Sequence, residues 1–147
     1  MKLPGKVAIR IGLILVGMAS CQPSRASAGG IVAVVSAKSP VTALSRNQVV
    51  DIFLGKASRF PDGTEAVPID QAEGAPARDE FYRDFADKSE AQLKAYWSKI
   101  IFTGRGQPPE AAANGREVKK FVAENPGAIG YIEQGMVDSS VKVVLSQ

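Results

Sequence analysis

Histidine is absent from the 147 residues, and cysteine occurs once, at Cys21. Those two shortages remove the imidazole bases, the thiolate nucleophiles and the Cys/His ligand sets on which most nucleophile–base pairs and soft-metal sites depend. A lone cysteine also excludes an intramolecular disulfide. Carboxylates fall singly along the expected helices and nowhere as a convergent pair, so the sequence offers no acid–base couple for catalysis. No catalytic residue, metal site or cofactor is therefore expected, and the chain reads as a non-enzyme. Internal repeats and low-complexity tracts are missing too, and only one apolar run stands out as long.

That run lies near the start. Lys2, Lys6 and Arg10 precede an apolar stretch from Ile11 to Ala19, and a small polar segment ends in Ala26-Ser27-Ala28. This is the charged, apolar and cleavage order of a secretion signal. The run is shorter than the roughly 20 apolar residues of a membrane-spanning helix. Two processing sites stand open. Ala26-Ser27-Ala28 fits ordinary signal peptidase, giving a signal over residues 1–28 and a domain over 29–147. Met18-Ala19-Ser20-Cys21 is similar to a lipobox, which would end the signal at residue 20 and place a lipid on Cys21. The product is thus expected in the periplasm or cell envelope, free or anchored.

Removing residues 1–28 takes away Lys2, Lys6, Arg10 and Arg25, leaving 14 Lys and Arg against all 15 acidic residues, a net of −1. The basic balance of the whole chain belongs to the signal, and nucleic acid is excluded as a partner on charge. The remaining 119 residues suit one domain.

Along that domain, Ile31-Val32-Ala33-Val34-Val35 is apolar at every position, as a strand buried on both faces would be. Ser45-Arg46-Asn47-Gln48 is a capping box for a helix over about 46–54, with Gly55 as its stop. Ala66-Val67-Pro68-Ile69 reads as a short strand, with Pro68 at an edge or strand end. Gly74-Ala75-Pro76 opens a second helix, with Phe81, Tyr82 and Phe85 inward. Ser89-Glu90-Ala91-Gln92 caps a third, with Leu93, Tyr96, Trp97 and Ile100 inward. Phe102 to Pro109 reads as an exposed loop. Asn114 caps a fourth helix that stops before Asn125-Pro126-Gly127. Ala128–Ile132 and Val141–Leu145 finish as strands. The predicted order is β α β α α α β β, an α/β domain with a small mixed sheet flanked by about four helices.

Several segments together resemble the phosphate-binding-protein-like periplasmic solute receptors of phosphate ABC importers. They are Ser39-Pro40-Val41, the run from Leu44 to Lys56, Trp97, and Asn125-Pro126-Gly127-Ala128-Ile129-Gly130-Tyr131. Asp79-Glu80-Phe81-Tyr82 and Ala95 to Gly104 are closer to a short subgroup described as phosphate ABC transporter substrate-binding proteins. The resemblance implies a single lobe of a type II periplasmic-binding-protein-like fold, half of a two-lobed receptor. It also implies phosphate or a related oxyanion as ligand, and an ABC permease as partner. The family's Ser-Gly-Thr turn corresponds here to Asp70 through Arg78, which lacks a hydroxyl and carries Pro76 and Glu73.

Five residues are candidate ligands for the oxyanion. Gly74 and Arg78 lie at the start of the second helix, where free N–H groups and the helix dipole favour an anion. Ser36, Lys38 and Ser39 follow the first strand, in the kind of strand-end loop that binds ligands in open α/β sheets. Arg78 could instead pair with Glu80 or Asp84. Thr103 and Arg105 read as surface loop rather than as a phosphate-holding backbone nest. Two rival arrangements stay open: an interaction module docking on an envelope sensor or transporter, and a homodimer in which two copies rebuild a cleft.

Overall fold

The computed structural model describes residues 30–146, so the expected secretion signal, both candidate processing sites and Cys21 lie outside the described residues. Its elements are β1 (Ile31–Ser36), α1 (Arg46–Phe53), β2 (Val67–Gln71), α2 (Pro76–Ala86), α3 (Glu90–Phe102), β3 (Glu110–Ala112), α4 (Gly115–Glu124), β4 (Ala128–Glu133) and β5 (Val141–Leu145). The five strands form one mixed sheet in the order β3-β2-β4-β1-β5. β1 runs antiparallel to both β4 and β5, whereas β2 runs parallel to both β3 and β4.

The continuous apolar run of β1 is explained by its place near the middle of this sheet. Side chains alternate along a strand, so Ile31, Ala33 and Val35 enter the core beneath α1, α2 and α3, while Val32 and Val34 enter a second core beneath α4. All six residues of β1 are buried. The first core is aromatic: Phe81 stacks on Tyr131 at 4.0 Å, and Phe53 meets both rings edge-on. In the second, α4 lies so close to β4 that a Cβ added at Gly130 would stand 2.5 Å from Val118 Cγ1. Only glycine permits that approach.

Local signals place the helices. Ser45 and Gln48 form a reciprocal capping box on α1, and Ser89 and Gln92 form one on α3. Gly55 ends α1, its amide donating to the Ile52 carbonyl while Lys56 donates to Asp51, the paired closure of a Schellman motif.

The structure adds β3, which the sequence does not announce. Pro68 sits at a strand end: it pairs with Ile129 of β4 on one side, and β3 begins alongside β2 only at Ile69. Its missing N–H therefore costs the sheet no bond. Among the described residues, no helix is long and apolar enough to cross a membrane.

Candidate functional site

β2 and β3 are parallel neighbours whose chains leave in opposite directions. After β2 the chain turns to α2 on one face of the sheet, and after β3 it turns to α4 on the other. Strand ends that diverge in this way open a crevice, the usual ligand position in open α/β sheets. The two loops are joined at its base by the Ala72 amide, which donates to the Ala112 carbonyl at 2.9 Å.

The two helix starts at this crevice differ. α4 is capped by Asn114, whose side-chain oxygen accepts from the Glu117 amide at 3.1 Å. α2 has no side-chain cap: its N-cap is Ala75, Pro76 offers no N–H, and the Ala77 amide has no acceptor among the described residues. Gly74 makes the turn into the helix at φ +87°, with nothing within 4 Å of where a Cβ would stand. Here the positive φ, and not crowding, calls for glycine.

Behind this open helix end lies a buried polar network that the sequence reading did not single out. Asp70, 3% exposed, accepts from the Tyr82 hydroxyl at 2.6 Å, from the Tyr131 hydroxyl, and from the Gln71 amide at 2.7 Å. The Gln71 side chain donates to the Tyr131 carbonyl at 3.1 Å. Burial first, and then the adjacent Asp70 carboxylate, push both phenols well above the ordinary tyrosine range. They therefore stay protonated and donate. The available signal was the Asp-Gln pair closing an otherwise apolar strand, a residue type that strands disfavour.

Arg78 reaches back to this network and not to Glu80. Its Nε lies 3.6 Å from Asp70, and its guanidinium sits 5.4 Å from the centre of the Tyr82 ring. Its side chain is 15% exposed, and the residue also lines a hollow of about 210 Å³ between α2 and α3. Glu73, the acid at the approach to α2, lies 3.9 Å from Lys94 Nζ. The arrangement can hold an anion through a fixed cation and an uncapped helix start. Among the described residues no group of His, Cys, Asp and Glu could hold a metal ion.

The other three candidate ligands are elsewhere. β1 runs against β2 and β4, so its end, at Ser36, lies at the opposite end of the sheet from Gly74 and Arg78. There the Ser36 hydroxyl donates to the Ala123 carbonyl and accepts from the Lys38 amide, both at 3.2 Å. Ser39 Oγ accepts from the Val41 amide at 3.2 Å, and Lys38 is exposed. Thus Gly74 and Arg78 come together, while Ser36, Lys38 and Ser39 form a separate group. At the end of α3, the Gly104 and Arg105 amides donate to the Ile101 and Ile100 carbonyls. They close that helix and are not turned toward a ligand.

No protein-family model matches the chain, and no curated protein does. Solved structures do. A phosphate ABC transporter substrate-binding protein from Clostridium perfringens, solved with bound phosphate, is 25% identical, with a TM-score of 0.64 over 79% of this chain and 44% of that one. A phosphate transport receptor from Vibrio cholerae is 22% identical, with a TM-score of 0.62 over 79% and 45%. PstS from Borrelia burgdorferi is 12% identical, with a TM-score of 0.60 over 79% and 46%. The chain spans less than half the length of each. By its mixed sheet and flanking helices, it shares the fold of phosphate ABC transporter substrate-binding proteins over less than half of their length.

Proposed function

We propose that this protein is an exported, non-enzymatic binding domain for phosphate or a related oxyanion, serving phosphate uptake with an ABC permease as its partner. The observation that carries the reading is the uncapped start of α2 beside Arg78, in a fold shared with a receptor that holds phosphate. The ligand sits at the crevice beyond β2, with one oxygen on the Ala77 amide and another on the outer nitrogens of Arg78. Gly74 leaves the approach open, and Asp70 and the Tyr82 ring hold the guanidinium in place. Lys94 and Glu73 stand 3.9 Å apart at the entrance, both exposed.

Isothermal titration of the processed protein with phosphate and sulfate tests this. Saturable heat is expected, and Arg78→Gln should weaken binding about tenfold or more, the loss of one charge-assisted contact. A thermal melt of the same variant separates lost affinity from lost fold. No heat at millimolar phosphate or sulfate would overturn the reading.

A further inference from the structure

The hollow between α2 and α3 carries charge of both signs: Arg78 and Lys94 against Glu73 and Glu90. One wall is apolar, formed by Trp97 and Ile101. The internal pairing is slight. Lys94 and Glu73 are 3.9 Å apart with both side chains more than half exposed, a separation and exposure at which an ion pair contributes little. Glu90 has no ion-pair or hydrogen-bond partner among the described residues. Its place in the first turn of α3 suits the helix dipole, but that leaves its carboxylate free to meet a ligand. Trp97 is 6% exposed, and its indole N–H is buried with no acceptor among the described residues.

A bare dianion entering here meets two carboxylates as well as two cations. An anion that brings its own ammonium group meets complementary charge at both ends. We propose that the hollow selects a small oxyanion bearing an ammonium group, the oxyanion end on Arg78 and the α2 start, the ammonium end between Glu73 and Glu90. This rests on the oxyanion reading above and names its substrate class. A volume of about 210 Å³ suits a ligand of few atoms, being below the usual range for drug-sized molecules. The short carbon link of such a ligand would lie against Trp97 and Ile101.

Phosphoethanolamine, ethyl phosphate and inorganic phosphate are the probes, titrated against the processed protein by calorimetry and by the fluorescence of Trp97, the one tryptophan in the chain. Phosphoethanolamine should bind about tenfold tighter than ethyl phosphate, which differs only by the ammonium group. In the double variant Glu73→Gln/Glu90→Gln that ratio should collapse toward one, with a thermal melt confirming the fold. Equal affinity for the two esters would overturn the inference, as would a ratio that survives the double substitution. If phosphate and ethyl phosphate bind and the ammonium adds nothing, only this inference falls. If none of the three binds, the oxyanion reading falls with it.

Discussion

Replacing Asp70 by alanine would remove the acceptor of three donors at once: the Tyr82 and Tyr131 hydroxyls and, in part, the Gln71 amide. The Gln71 amide keeps a second acceptor, the Tyr131 hydroxyl at 3.2 Å, so the main loss falls on the two phenols and on Arg78. Each buried hydroxyl left without an acceptor costs about 1–3 kcal/mol. Arg78, 15% exposed, would lose its counter-charge and add about another kilocalorie per mole, so the total is about 5 kcal/mol. Against a typical domain stability of about 5–15 kcal/mol, that is a large fraction. For a domain of this size it should lower the melting temperature by roughly 10–20 °C. Urea unfolding of Asp70→Ala, Tyr82→Phe and the double variant measures it. The double variant should be less destabilised than the sum of the singles by about 1–2 kcal/mol, because the two residues share one bond. A cost below about 1 kcal/mol for Asp70→Ala, or strict additivity, would refute the account of the network.

Alkaline pH should attack the same network. Tyr82 and Tyr131 have raised pKa values in the folded state, so above about pH 10 the unfolded chain releases protons that the folded chain keeps. Stability is then full below that pH and falls above it, by about 2.7 kcal/mol per pH unit once both phenols ionise only on unfolding. Melting temperatures between about pH 9 and 11.5, followed with phenolate absorbance, check this; because Tyr96 lies outside the network, titration of more than one phenol while the chain stays folded would contradict it. In the other core, Gly130→Ala should destabilise by about 2–3 kcal/mol through overpacking, since its methyl would stand 2.5 Å from Val118 Cγ1. Thermal denaturation measures the loss, and a Val118→Ala partner substitution should recover part of it.

The elements that could be read from the sequence were those whose signals are local. Ser45 with Gln48 and Ser89 with Gln92 satisfy each helix start from within four residues, so the boxes were visible as spacing. The buried β1 was visible as an unbroken apolar run. Glu110–Ala112 was not, because three residues of low strand preference become a strand only through the ladder that β2 offers. Strand direction was equally hidden. Ser36 and Gly74 both follow strands, and only the antiparallel pairing of β1 with β4 reveals that they stand at opposite ends of the sheet. At the candidate site, Arg78 and Gly74 could be read from helix-start chemistry. The reach of Arg78 to Asp70, and the convergence of Tyr82 and Tyr131 on that carboxylate from 12 and 61 residues away, depend on tertiary packing.

β1 is the first strand of the sheet in chain order, yet both its neighbours come from the far end of the described chain: Ile31 pairs with Glu133, and Ser36 with Val141. A polypeptide emerging residue by residue, from a ribosome or a translocation channel, would hold this largely apolar strand without partners until nearly all of the domain had followed. Such long-range closure slows folding, and an unpaired apolar strand is the usual seed of aggregation. The yield of this protein should therefore depend on how well β1 is shielded during synthesis, by a holding chaperone or by fast passage, more than on the stability of the finished sheet.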